Sequence, residues 1–260
     1  MTLRKGSLTY DVNSAWPGRP EPPGDVGKRF LRTLELLEPL HPTFHDWYTV
    51  AAAPVDWEDP AEYPLPTIDV AALGPDLSPW VVANVRRDDF TRPDPDSGYL
   101  LGASSHDPSN KSKGDVLDAV FCAGGKWVDH GSIDIGSVIA PPNPALVTYP
   151  IFRGFLLAMV SVWSPPWVSA KCSIWGRKPP TLPGLPPFPY SGFQMPWISY
   201  FRPEVADKLG PLTDLMTERT PDGGLLITAT TDKFDPTNPE HMRPSQRMAE
   251  MLIEHATPTF

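Results

Sequence analysis

Cysteine is scarce in this chain: Cys122 and Cys172 are the only two among 260 residues. So few thiols, both in apolar surroundings, point to two reduced, buried side chains rather than a disulfide or a reactive pair. Long apolar runs are also missing. The longest, Ile151 to Trp163, lasts 13 residues and contains Arg153, whereas crossing a bilayer takes ~20. The stretch MTLRKGSLTYDV lacks the apolar core of a signal peptide, which predicts a cytoplasmic protein. Positive charge is short as well, with 22 Lys and Arg against 31 Asp and Glu, a net −9. An acidic chain without a basic stripe is poorly suited to nucleic acid or anionic membrane and better suited to a basic partner. GxSxG, a Gly-rich phosphate loop, HExxH and paired CxxC are all absent, so no cofactor or metal is expected.

Proline and aromatics are abundant: 35 Pro, 9 Trp, 11 Phe and 7 Tyr. Disordered chains are poor in aromatics, so these prolines punctuate a folded, loop-rich globule. Leu8, Tyr10 and Val12 alternate with polar residues and predict a strand. Asp25 is placed as the N-cap of a helix whose apolar stripe is Val26, Phe30, Leu34 and Leu37. Phe44, Trp47 and Tyr48 follow as a packed aromatic segment. Trp80–Val85, Tyr99–Ser104, Ala119–Cys122, Ser132–Ile139, Met195–Phe201 and Leu225–Thr231 read as strands. Ile151 to Trp163 reads as a buried helix, and PPTLPGLPPFP at 179–189 as an extended strap. A last helix carries Met248, Met251, Leu252 and His255 on one face, with Pro244 expected to kink or restart it. Strands in meander order with few crossover helices predict an α+β fold, mostly antiparallel sheet with a few packed helices. The chain is expected to form a single domain, with two similar halves (lobes 1–140 and 141–260) as an open alternative.

The segment TTDKFDPTNPEH, residues 230–241, is the part of the chain that most resembles chemistry. Asp232, Asp235 and His241 together would suit a small metal-assisted hydrolase. The same residues also suit a strand end, a turn and a helix start. Asp235 and Asn238 each precede a proline, Pro239 fits the first helical position, and Glu240 meets the positive end of the helix dipole. That second account uses every residue, so no catalytic residue is assigned. His41 and His45 are separated by a turn proline and read as surface residues rather than zinc ligands.

Two acidic, aromatic-bearing loops are the candidate partner-binding sites. VDWEDPAEY offers Asp56, Trp57, Glu58, Asp59, Glu62 and Tyr63, and RRDDFTRPDPDSG offers Asp88, Asp89 and Phe90. Carboxylates steer a basic partner, and Trp and Tyr are typical binding anchors.

The carboxy-terminal third resembles the immunity protein 52 family. Trp197, Tyr200, Gly224, Leu226, Thr231, Asp232, Phe234, Asp235, Asn238, Pro239 and His241 occupy the places of its signature. Tyr10, Ala15 and Trp16, the helix from Asp25 to Leu37, and the helix before Trp163-Ser-Pro-Pro-Trp167 follow its order. The 179–189 strap, Pro196 and Pro244 depart from the pattern. The resemblance implies a non-enzymatic antitoxin that binds and neutralises a cognate secreted toxin. It further implies that the toxin is a restriction-endonuclease-fold nuclease of a type VI or related secretion system. No direct nucleic-acid or membrane contact is implied, and the protein would act as a monomer or homodimer. An adaptor of the secretion machine is the remaining alternative.

Overall fold

Alternation builds the first strand, β1 (Leu8–Pro17). Tyr10, Val12 and Trp16 are buried, while Asp11 and Asn13 between them face the opposite side of the pleat. The computed structural model describes residues 6–50, 67–88, 92–105, 116–136, 142–189 and 194–255. In chain order β1 is followed by α1 (Pro23–Leu37), β2 (Tyr48–Val50), β3 (Thr67–Asp69), α2 (Ser78–Ala83) and the two-residue pair β4 (Arg87–Asp88) and β5 (Arg92–Pro93). Next come β6 (Tyr99–Ser104), β7 (Leu117–Ala123), β8 (Val128–Ile135), α3 (Tyr149–Trp163) and β9 (Trp167–Ile174). The chain closes with β10 (Gln194–Phe201), α4 (Pro203–Ala206), β11 (Met216–Arg219), β12 (Leu225–Thr228) and α5 (Pro239–His255).

Ten strands form one antiparallel sheet in the order β11-β12-β10-β9-β1-β8-β7-β6-β2-β3. This is the α+β class the sequence predicted. β1 sits between β8 and β9, so it joins the meander that precedes α3 to the strands that follow it. α1 and α3 cover the face that carries Tyr10, Val12 and Trp16. Trp163 stacks on Phe121 at 4.8 Å and on Trp16 at 5.6 Å, and its indole donates to Thr33 Oγ1 of α1 at 2.9 Å. The expected stripe of α1 is fully confirmed, since Val26, Phe30, Leu34 and Leu37 are all buried.

Three expectations need correction. α1 begins at Pro23, so Asp25 is not its cap and instead sits in the first turn, 3.1 Å from Lys28. Proline's fixed φ suits the first helical position and moves the start upstream. Trp80–Val85 is not a strand: α2 occupies Ser78–Ala83, with Asp76 Oδ1 accepting from the Ser78 amide at 3.0 Å. Three adjacent apolar residues fit either period, and here Trp80 and Val81 bury against α1 while Val82 stays exposed. α5 runs from Pro239 through Pro244 to His255 without a restart. The strap over 179–189 has neither helix nor strand, and its Pro186 carbonyl accepts from Gln246 Nε2 of α5 at 2.7 Å.

Candidate functional site

The 230–241 segment folds as a junction between β12 and α5. Asp235 Oδ1 accepts from the Thr237 amide at 2.8 Å, and Asn238 Oδ1 from the Glu240 amide at 3.0 Å. His241 Nδ1 accepts from the backbone amide of Asp235 at 3.0 Å, so the ring meets main chain rather than the carboxylate. Partial burial pushes the Asp235 carboxyl up, but the Thr237 amide and hydroxyl and the nearby His241 outweigh it and hold the carboxyl below its usual range. Phe234 is buried, and its carbonyl accepts from Tyr10 Oη at 3.0 Å. Trp197 Nε1 donates to the Thr230 carbonyl at 2.8 Å. The side chains of Asp235, Asn238 and His241 are occupied in turning the chain, whereas Asp232 is exposed and enters the turn through its backbone amide, which donates to Thr230 Oγ1 at 3.1 Å. Among the described residues, no three His, Cys, Asp or Glu side chains are grouped to hold a metal.

Of the predicted partner-binding residues, Asp56, Trp57, Glu58, Asp59, Glu62, Tyr63, Asp89 and Phe90 lie outside the described residues. Asp88 is in β4, whose backbone pairs with β5 through Arg92. The first of these loops falls in sequence between β2 and β3, and the residues at the base of this antiparallel pair, Asp46 and Trp47 on one side and Asp69 to Ala71 on the other, form one wall of a groove. The opposite wall is α1. The groove has a volume of about 470 Å³, within the range of ligand-binding clefts. Leu31, Leu34, Trp47 and Val70 form its apolar lining, and Glu35, Glu38, Asp46 and Asp69 bring four carboxylates. Among the described residues, no lysine or arginine lines it. Sequence reasoning missed this site, because the polar face of α1 and the hairpin base meet only in the tertiary fold. The signal available was Glu35 and Glu38, spaced i, i+3 beside the apolar stripe at the end of α1.

A second acidic feature crosses the sheet face turned away from α1 and α3. Register places Asp118 of β7 opposite Asp134 of β8, Asp134 opposite Asp11 of β1, and Asp11 opposite Lys171 of β9. Burial pushes Asp134 up to about 7, with Asp11 and Asp118 adding repulsion and Ser132 opposing. Burial likewise raises Asp11 to about 6, against the pull of Lys171 and the Asn13 side chain.

Comparison with known proteins gives a family and a fold. The family model for immunity protein 52 matches residues 8–257. The solved structure of the Pseudomonas aeruginosa T6SS protein PA0821 is similar with a TM-score of 0.51 at 13% sequence identity, over 96% of this chain and 73% of that one. No curated protein matches the sequence.

Proposed function

Because the chain belongs to the immunity protein 52 family, we propose that it binds and neutralises a cognate secreted toxin inside the cell that makes both. The toxin on this reading is a restriction-endonuclease-fold nuclease of a type VI or related secretion system, met in the cytoplasm. The family match over residues 8–257 carries the proposal. The fold it shares with a T6SS protein agrees with it. The net charge of −9 suits a partner whose own surface is built to hold a polyanion. Action is by binding rather than catalysis, since Asp235, Asn238 and His241 are spent on turns and a helix start. The protein works as one immunity domain, a monomer or homodimer, with Cys122 and Cys172 reduced.

The test is rescue. Cells producing the toxin encoded in the adjacent reading frame should survive only when this protein is co-produced, and the two should co-purify. Equal killing with and without it would overturn the proposal.

A further inference from the structure

We infer that the groove between α1 and the base of the β2–β3 hairpin seats a lysine or arginine side chain of the toxin. The inference deepens the toxin-binding reading and rests on it for the identity of the partner. The groove itself specifies the chemistry. Among the described residues, four carboxylates line it and no lysine or arginine does, so its local charge asks for a cation from outside. Arg32 pairs with Glu35 at 2.8 Å, but both are well exposed, and such a pair is weakly held and readily exchanged. His45 lies 2.8 Å from Asp46, again at an exposed pair. Asp69 uses Oδ1 to accept from the Ala71 amide at 2.8 Å, and its second oxygen has no donor among the described residues. Glu38 has no basic partner among the described residues.

The apolar part of the groove matches the other half of such a side chain. Lysine and arginine bury a hydrocarbon stem while the charged head stays near polar groups. Leu31 and Val70 offer a surface for the stem, and the carboxylates surround the head. Trp47 supplies a second, independent mark of a binding site. It lines the groove, is only 5% exposed, and its indole Nε1 has no acceptor among the described residues. A buried donor without an acceptor is costly; a lysine or arginine head has only donors, so the acceptor for Trp47 has to be a backbone carbonyl of the toxin segment that presents the cation.

Two charge-reversed proteins separate the groove from bulk electrostatics. Glu35→Lys with Glu38→Lys alters the groove, and Glu250→Lys with Glu254→Lys makes the same charge change on α5. In each pair one member gives up an exposed i,i+3 contact with arginine. By surface plasmon resonance with the purified toxin at low salt, the groove variant should bind about tenfold or more weakly, chiefly through slower association. The α5 variant should stay near wild type. Leu31→Arg, which fills the seat from within, should also lose binding. Thermal melts establish that each variant is folded, and either groove variant suffices for the test. Equal affinity of groove and α5 variants for the toxin overturns the inference. If wild type itself fails to bind the toxin, the proposed function falls, and a second probe decides the groove. A fluorescein-labelled hexa-arginine peptide, followed by anisotropy, should bind wild type and the α5 variant alike and the groove variants several-fold more weakly. Equal binding to all of them overturns the groove's role whatever the toxin does.

Discussion

Gly224 has Tyr200 lying over it so closely that an added Cβ would sit 2.3 Å from the ring and 2.7 Å from the hydroxyl. That hydroxyl donates to Asp222 at 2.5 Å, which pins the ring in place. Gly224→Ala should therefore cost ~1–3 kcal/mol, as overpacking does, seen as a lower melting temperature. Asp235→Ala and Asn238→Ala remove turn and helix-start acceptors and should each cost ~0.5–2 kcal/mol. Toxin neutralisation by those two variants should fall only as far as their unfolding requires. Stoichiometric metal in the native protein that vanishes in Asp235→Ala would contradict that reading. The paired carboxylates Asp11 and Asp134 give stability a pH dependence. Their folded values, about 6 and about 7, lie above the ordinary carboxylate value. The folded protein thus holds protons that the unfolded chain has released. Their contribution is complete below about pH 4 and is lost as pH rises through about 6 to 7. The groups facing the pair are Asp118, Asn13, Ser132 and Lys171. The melting temperature of wild type should drop between about pH 5 and pH 8 by more than that of Asp134→Asn. Parallel profiles for the two proteins would show that the pair is not responsible.

Elements whose signal was carried by period were legible before the structure. β1 alternates over ten residues and α1 repeats its apolar positions over four turns, while α3 was legible as a nearly continuous apolar run. The junction at 230–241 was legible too, because proline and Asx residues act on their own backbone. α2 was misread since Trp80-Val81-Val82 is too short for either period to win, and contact with Phe30 decided it. β11 was missed altogether: Met216–Arg219 is exposed along its whole length and has no apolar face to read. The acidic groove was illegible for a different reason, as α1 and the hairpin base are brought together by packing alone. β11 also ends the sheet. Such an edge exposes unpaired backbone groups, and charge on it discourages pairing with another copy. Glu218 reaches Arg153 at 2.5 Å and Arg219 lies 3.8 Å from Asp207. Replacing Glu218 and Arg219 by valine should promote self-association, measured as a mass increase in light scattering with concentration. An unchanged mass would show that the edge is guarded by something else.

Across the whole molecule, the two cysteines stand on opposite faces of the sheet. Cys172 has the parity of buried Val168 and Ala170, while Cys122 alternates with Phe121 and Ala123 of the helix-covered face. Both are free and buried, and burial pushes the Cys172 thiol up to about 12. Neither thiol should react with a disulfide reagent in the native protein at neutral pH, and both should react on unfolding. Cys122→Ser and Cys172→Ser should keep toxin neutralisation, apart from packing losses. The position of β1 has a consequence in time. It is made before both of its neighbours, yet β8 ends only at Ile135 and β9 at Ile174. At ~5–20 residues per second, β1 waits on the order of ten seconds on the ribosome for its second partner. Throughout that interval an alternating apolar strand is exposed to chaperones and to other nascent chains. Finished protein therefore lags the start of its own synthesis by at least that interval, so the last-made partner strand, not the first-made one, sets when the sheet can close.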